Sequence, residues 1–410
     1  MFLYIDPGTG SMLFSILIGI VSTMIFLGQR LIMKAKFLIS GGKVNKINNT
    51  KIPYIIFSDH KRYWNVFKPI CDEFEKRGVD LVYWTASPDD PALNEKYKHV
   101  KTEFIGEGNK AFARLNMMNA SICLSTTPGL DVYQWKRSKN VDWYVHIRHD
   151  VEEPVGYRMF GCDFYDAILL TGEHQEYYIR KLEELRNEPS KECVITGCTY
   201  LDSMKSRLDK KQKENIQSNN SQKTVLLAPT WGASGILSKY GEDIIKALLE
   251  TGYKIIVRPH PQSFTAEKEM ISNLQNKFPN SDKLTWNRDN DNFEVLNQSD
   301  IMITDFSGII FDYTLIFDKP LIYADTSYNS APYDSAWINE PLWRFETLKK
   351  IGKCLEKKDF PCMKEVIDQV INDDSFNEAR KQVREETWKY KMQGAEKTVD
   401  YLINKHKEIV

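Results

Sequence analysis

Two short polar motifs of the chain have residue types suited to holding a phosphate group. One is RPHP at 258–261 and the other is TDFSG at 304–308, and each follows a short apolar run. Arg258 and His260 can add charge and hydrogen bonds to an anion. The step from Ser307 to Gly308 falls where a helix is expected to begin, with free backbone N–H groups and the positive end of the helix dipole. The two motifs therefore predict a site for a phosphorylated ligand.

These residues also have simpler explanations. RPHP could only end a strand, because its prolines stiffen the backbone and remove two N–H donors. A turn does not need Arg and His as well, so we interpret His260 as a phosphate contact and a candidate proton donor. Asp305 or Ser307 could be an ordinary helix cap, but Gly308 lets a ligand approach the backbone. Asp312 could accept hydrogen bonds from ligand hydroxyls or could be a solvated carboxylate.

His149 is the candidate general base. It follows the apolar run at 141–147, so it is expected at the carboxyl end of a strand. An imidazole that titrates near neutrality can take a proton from a hydroxyl. His146 is a competitor, although its place inside the strand favours a buried core histidine. Asp150 could orient the His149 ring, or it could be a cap.

Other polar positions are weaker candidates. Thr230 and Trp231 end the first strand of the second half of the chain, and Trp231 could stack on a nucleotide base or only pack. The segment DND at 289–291 has the Asp-x-Asp form of a metal site. It precedes a helical pattern, so we interpret Asp291 as a cap and predict no metal and no cofactor.

Short β-branched runs followed by amphipathic helices are the elements that must position these residues. Runs of this kind are typical of buried parallel strands, and ligands bind at the carboxyl ends of such strands. Strands are predicted at 52–58, 79–85, 121–125, 141–147, 167–171, 224–228, 253–257, 300–303 and 320–324. Helical patterns lie between them, for example at 64–76 and 174–185. The alternation predicts two doubly wound α/β domains of the Rossmann type.

The boundaries follow from changes in composition. Residues 208–223 are charged and rich in Asn and Ser, which indicates a linker, so the predicted domains are 37–215 and 216–410, the second with a helical tail. No charged residue occurs from Pro7 to Gln29, and Arg30 follows. We therefore predict a transmembrane helix within residues 1–36, with a hairpin or an anchor in one leaflet as the alternative. By the positive-inside rule the catalytic domains are expected in the cytoplasm, at the cell membrane.

The overall charge argues against some classes of protein. Lys and Arg number 55 against 56 Asp and Glu, so the net charge is −1 and a globally basic nucleic-acid binder is not expected. The seven cysteines show no Cys-x-x-Cys pair. We interpret most of them as small buried residues rather than as metal ligands or disulfides.

The ordered series APTW at 228–231, RPHP, TDFSGIIFDY and KPLIY at 319–323 resembles the CDP-glycerol glycerophosphotransferases, the teichoic-acid primases and polymerases. The resemblance covers about residues 52–328. It implies the GT-B fold, with the last helices crossing back onto the first domain and an active site between the domains. It also implies that His149 is the base and that His260 lies at the donor phosphates. The family often has Trp-His-Gly where this chain has Arg148-His149-Asp150, which leaves the acceptor open.

The expected function is therefore transfer of glycerol phosphate, or a related polyol phosphate, from a CDP-activated donor to a hydroxyl of a lipid-linked or cell-surface glycan precursor. Two alternatives stay open: a GT-B nucleotide-sugar glycosyltransferase, and a non-catalytic membrane-tethered binding module. The sequence does not decide the donor polyol, its base, the acceptor, primase against polymerase action, or the oligomeric state.

Overall fold

The computed structural model describes residues 51–214, 222–289, 291–324 and 326–410. Residues Ile52–Val410 form one compact unit with two parallel sheets. The strands of the first sheet are β1 (Ile52–Ser58), β2 (Leu81–Thr85), β3 (Val100–Phe104), β4 (Asn119–Ser125), β5 (Asn140–Ile147), β6 (Ala167–Leu170) and β7 (Glu192–Ile195). Those of the second are β8 (Thr224–Leu227), β9 (Lys254–Val257), β10 (Leu284–Trp286), β11 (Ile301–Thr304), β12 (Leu321–Ala324) and β13 (Lys353–Leu355).

Both sheets are doubly wound. The strand order is β3-β2-β1-β4-β5-β6-β7 in the first sheet and β10-β9-β8-β11-β12-β13 in the second. The α-helices are α1 (Trp64–Arg77), α2 (Asn109–Leu115), α3 (Glu173–Arg186), α4 (Thr199–Lys213), α5 (Ile236–Glu250), α6 (Ser263–Ala266), α7 (Lys268–Lys277), α8 (Phe293–Gln298), α9 (Ile309–Asp312), α10 (Trp343–Ile351), α11 (Met363–Ile371), α12 (Asn377–Thr387) and α13 (Gly394–Ile409).

The central strands are short and apolar because helices cover both of their faces. All four residues of β8 and all four of β11 are buried, which matches their Val, Leu and Ile content. The register brings the polar motifs to one level: Leu227 pairs with both Val257 and Ile303, so the residues after these three strands meet at the same rim. In the first sheet, Ser125 pairs with His146, which brings the segments after β4 and β5 together.

The C-terminal helix α13 packs on the first sheet, as the family resemblance implies. Val399 and Leu402 are buried in the core that α1 forms with the first sheet. Arg77 of α1 pairs with Asp400 at 2.6 Å, and the indole N–H of Trp143 donates to the Tyr401 hydroxyl at 3.1 Å. The C-terminal helix therefore packs against the first domain.

The predicted fold class needs one correction, because its transmembrane helix is not supported. In the part of the chain that the structure describes, no helix is long and apolar enough to cross a bilayer. The segment for which that helix was predicted, residues 1–36, lies outside the described residues. The α/β architecture with two parallel sheets is as predicted.

Some element boundaries also differ from the sequence prediction. The predicted linker at 208–223 begins inside α4, which runs to Lys213 because Leu208 is buried on its inner face. The predicted domain boundary at residues 215 and 216 lies outside the described residues. The edge strands β3, β7, β10 and β13 were not predicted, since their partly exposed residues lack a continuous apolar run.

Candidate active site

The carboxyl ends of strands from both sheets border one cavity of about 390 Å³. Six of the nine predicted site residues line it: His149, Arg258, His260, Ser307, Gly308 and Asp312. Thr230, Trp231 and Asp305 do not belong to the described lining. The first sheet contributes further residues that the sequence analysis did not single out for binding: Arg62, Tyr63, Asn65, Asp150 and Glu152.

His149 lies two residues after β5, with about a quarter of its side chain (26%) exposed. Its Nδ1 lies 2.7 Å from the Thr126 hydroxyl, and its Nε2 lies 3.4 Å from an Asp150 oxygen. The Tyr63 ring packs edge-on against the imidazole at 5.0 Å. Burial lowers the pKa of His149, so the ring is neutral near pH 7. When Nδ1 carries the proton and donates it to Thr126, Nε2 has a lone pair free to accept a substrate proton.

His146 is in a different environment. Its side chain is fully buried, and Nε2 lies 3.1 Å from the Tyr157 hydroxyl. Burial holds its pKa well below the ordinary value. His146 does not line the cavity, so of the two histidines only His149 is within reach of a ligand there.

The residues on either side of His149 form an ion pair. The Arg148 guanidinium is 2% exposed and donates to an Asp150 carboxylate oxygen. It also packs over the Tyr157 ring at 4.6 Å. Burial acts to raise the pKa of Asp150, but the positive charge of Arg148 opposes burial, and the pKa of Asp150 lies below its usual range. An ionised Asp150 therefore lies beside the candidate base, at the position where the family often has glycine.

His260 lies on the opposite side of the cavity, after β9. Its Nδ1 accepts a hydrogen bond from the Gln262 backbone N–H at 3.1 Å. Burial lowers the pKa of His260 to about 4, so the ring is neutral and its proton must be on Nε2. The ring of Trp231 lies 6.5 Å away at an angle of 31°. His260 is therefore a neutral hydrogen-bond donor before a ligand arrives, and its predicted contact with the donor phosphates stays a prediction.

Arg258 is held by its own domain. The guanidinium donates to the side-chain oxygen of Asn287 and to the backbone oxygen of Asp289, the latter at 2.8 Å. Its side chain is buried. The guanidinium of Arg258, which is predicted to contact phosphate, is therefore already hydrogen-bonded to neighbouring acceptors.

Asp305 binds the backbone of the loop after β8 and does not belong to the described cavity lining. Its carboxylate is 1% exposed and accepts the backbone N–H of Thr230 at 2.9 Å and that of Ile236 at 2.9 Å. Burial raises its pKa to about 6. The Asp305 carboxylate and the backbone N–H of Thr230 are thus used to fold the loop after β8, because buried backbone N–H groups need acceptors. Substrate contacts at Asp305 and Thr230 stay a prediction.

Gly308 begins the helical segment formed by α9 and the π-helical turn Tyr313–Phe317. A Cβ atom at Gly308 would lie 3.1 Å from Oε1 of Glu152. That oxygen has no hydrogen-bond partner among the described residues, whereas Oε2 lies 3.3 Å from Arg344. Burial raises the pKa of Glu152 to about 8. A carboxyl group, protonated near neutrality, therefore occupies the approach to Gly308 that the sequence assigned to a ligand.

Asp312 is oriented by two polar neighbours. It accepts hydrogen bonds from the Tyr200 hydroxyl at 3.3 Å and from the Asn292 side chain at 3.0 Å. Burial raises its pKa to about 7. Asp312 lines the cavity together with these two neighbours, so it can meet a hydroxyl of a ligand there.

In the DND segment, the side chain of Asp291 binds the backbone at the start of α8. Asp291 accepts the backbone N–H of Phe293 at 2.8 Å and pairs with Arg207 at 2.7 Å. Among the residues that the structure describes, no cluster of three or more His, Cys, Asp or Glu side chains could hold a metal ion.

The residues missed by the sequence analysis follow strands too. Arg62 and Tyr63 belong to the 3₁₀ turn Lys61–Tyr63 that comes after β1, and Glu152 follows β5 by five residues. The rule that ligands bind at the carboxyl ends of strands applies to them as well. Their segments lack a compact motif, so only the folded chain shows which of their side chains line the cavity.

A comparison with protein families matches residues 161–399 to the family described as CDP-glycerol:poly(glycerophosphate) glycerophosphotransferase. No curated protein sequence matches the chain significantly.

Solved structures give a likeness of fold. A histidine-to-asparagine variant of the wall teichoic acid polymerase TagF, soaked with CDPG, aligns over 94% of this chain and 98% of its own, with a TM-score of 0.57 and 16% identity. The S. aureus MnaA–UDP co-structure covers 88% of this chain and 98% of its own, with a TM-score of 0.59 and 14% identity. The UDP-GlcNAc 2-epimerase from Methanocaldococcus jannaschii covers 87% and 100%, with a TM-score of 0.52 and 14% identity. At these identities the likenesses show the fold, and they support the predicted GT-B-like arrangement.

Proposed function

Because the chain belongs to the CDP-glycerol:poly(glycerophosphate) glycerophosphotransferase family, we propose that its cavity transfers glycerol phosphate from CDP-glycerol to an acceptor hydroxyl. The chain is a CDP-glycerol glycerophosphotransferase-like enzyme. The acceptor is a hydroxyl group at the end of a teichoic-acid-type polymer or of its glycan precursor, and CMP is released. The observation that carries this proposal is the cavity with His149 on one side and His260 with Gly308 on the other.

The proposed chemistry is an in-line displacement at phosphorus. Nε2 of His149 removes the proton of the acceptor hydroxyl, and the oxygen attacks the β-phosphorus of the donor. The bond between that phosphorus and the bridging oxygen breaks, and the bridging oxygen leaves with CMP. A positioned base contributes about 10²–10⁴-fold to such a reaction.

His260 is proposed to act on the donor, as His149 acts on the acceptor. Its Nε2–H can donate to a phosphate oxygen, since its Nδ1 already accepts the Gln262 N–H. Charge that develops on the leaving phosphate is stabilised by such fixed donors, each about 10²–10³-fold in turnover. Arg258 supports this rim of the cavity through its hydrogen bond to Asn287.

The test offers the purified full chain CDP-glycerol, CDP-ribitol and a set of nucleotide sugars, with a glycerol-phosphate oligomer as acceptor. The released nucleotide is then identified. The proposal expects CMP from CDP-glycerol and an acceptor longer by one unit. UDP released from a nucleotide sugar would instead indicate a glycosyltransferase, and tight binding of one donor without turnover would indicate a binding module.

A lipid-linked acceptor and a reaction at the cytoplasmic side of the cell membrane are the finer parts of the proposal. A radiolabel from CDP-glycerol should then appear in the lipid-extractable fraction of membranes incubated with the enzyme. Label found only in lipid-free polymer would contradict a lipid-linked acceptor.

A further inference from the structure

We propose that Arg62, on the first-sheet side of the cavity, binds the diphosphate of the donor. This inference rests on the proposed function, because it takes the donor to be a nucleoside diphosphate derivative. It adds a cation from the first domain to a site whose predicted phosphate contacts all come from the second domain.

The position of Arg62 is the first argument. It lies in the turn Lys61–Tyr63, after β1, and lines the same cavity as His149 and His260. After burial, which is the largest cause in each case, the charge of Arg62 is among the influences that lower the pKa values of both histidines. The guanidinium therefore acts on groups that belong to opposite sides of the cavity.

The second argument is that Arg62 is exposed and uncommitted. Within the described ranges its guanidinium has no hydrogen bond or ion pair, and its one ring contact is with Tyr63 at 5.3 Å. Other arginines around the site are already used: Arg258 by Asn287 and Asp289, and Arg344 by Glu152 and Glu153. A planar guanidinium with free N–H groups is suited to bidentate contact with phosphate oxygens.

The third argument is charge balance. Carboxyl groups line the cavity at Asp150, Glu152, Asp291 and Asp312. The two histidines are neutral before a ligand binds, since burial lowers both pKa values. A diphosphate carries negative charge into these surroundings, so a free cation is needed to offset repulsion by ionised carboxylates. In the described lining, Arg62 is the cation without an internal partner.

The experiment measures the affinity of CDP-glycerol by calorimetry for the unaltered chain, Arg62→Gln, Arg62→Lys and Lys61→Gln. Losing a charge-assisted hydrogen bond is expected to weaken donor binding about 10- to 100-fold in Arg62→Gln. Arg62→Lys should recover part of this loss, because the charge returns without the bidentate geometry. The neighbouring Lys61 pairs with Asp89 and does not line the cavity, so Lys61→Gln should bind as the unaltered chain does.

A second probe separates failure of this inference from failure of the proposed function. Inorganic pyrophosphate is titrated into the same variants. Weaker pyrophosphate binding in Arg62→Gln alone would support a diphosphate contact even if another nucleotide derivative were the donor. Equal affinities of Arg62→Gln and the unaltered chain for both CDP-glycerol and pyrophosphate would overturn the inference and leave the proposed function standing.

Discussion

The two sides of the cavity are built in different ways. On the side of the second sheet, polar groups are tied to their own domain: Arg258 to Asn287, and Nδ1 of His260 to the Gln262 backbone. On the side of the first sheet, the guanidinium of Arg62 has no polar partner among the described residues, and one oxygen of Glu152 has none either. The second-sheet side is therefore preformed, and the first-sheet side retains a cation and a carboxyl oxygen without internal partners.

This difference suggests a division of tasks. A rim held by internal hydrogen bonds can fix the donor phosphates without rearrangement, which favours transition-state stabilisation. The opposite side carries the candidate base, with an ionised Asp150 and a neutral Glu152 close by. We expect substitutions of His149, Asp150 and Glu152 to change proton transfer and pH dependence, whereas substitutions on the second-sheet side change donor affinity or folding. Arg62 is the exception on the first-sheet side, because it is proposed to bind the donor.

The largest effect is expected for His149→Ala. Removing a base that acts on the acceptor should lower kcat by about 10²–10⁴-fold. Steady-state release of CMP measures this. His146→Gln is the matched control, because His146 is buried away from the cavity and should alter stability more than kcat. A normal kcat in His149→Ala together with a reduced one in His146→Gln would reverse the assignment.

A smaller effect, on stability, is expected for Asp305→Asn. The amide would replace an acceptor of the Thr230 and Ile236 N–H groups and would present a donor to them in at least one orientation. A loss of about 1–3 kcal/mol in the free energy of unfolding follows from leaving such buried groups unsatisfied. Urea denaturation checks it, with Asp282→Asn on the exposed surface as the control. Equal midpoints for the two variants would mean that Asp305 does not hold the loop.

The smallest effect is a change in pH dependence for Glu152→Gln. Burial raises the folded-state pKa of Glu152 to about 8 from a usual value of 4.5. The stabilisation from this protonated group is complete below the usual pKa and is lost as the pH rises through the folded-state pKa. One such proton changes the free energy of unfolding by at most about 1.4 kcal/mol per pH unit.

Denaturation at pH 5, 6, 7 and 8 tests this expectation. The unaltered chain should lose stability across the series, and Glu152→Gln should lose less because its amide does not titrate. Asp312 and Asp305 also have raised pKa values, about 7 and about 6, so part of the slope should remain. The exposed Glu269→Gln is the control. Parallel curves for Glu152→Gln and the unaltered chain would show that Glu152 is ionised in the folded state.

The sequence predicted the second-sheet side better than the first. RPHP and TDFSG are compact motifs after apolar strands, and His260, Ser307 and Gly308 do line the cavity. The internal hydrogen bonds of Arg258 and Asp305 could not be recognised from the motifs. Their partners Asn287 and Ile236 lie on other segments.

Residues of the first-sheet side were harder to find for a similar reason. His149 follows a clear strand, but Arg62 and Glu152 belong to segments without a recognisable pattern. Their place depends on how the loops after β1 and β5 meet the second sheet, which is tertiary information. Edge strands such as β13 were missed because partly exposed strands lack the continuous apolar run that marks the central ones.

Donor affinity in two matched histidine variants tests the division of tasks most directly. CDP-glycerol is titrated by calorimetry into His149→Ala and His260→Ala, one from each side of the cavity. We predict unaltered affinity in His149→Ala and a loss of about 10- to 100-fold in His260→Ala, where a hydrogen bond to a charged phosphate is removed. Unaltered affinity in His260→Ala, or a loss confined to His149→Ala, would contradict the account.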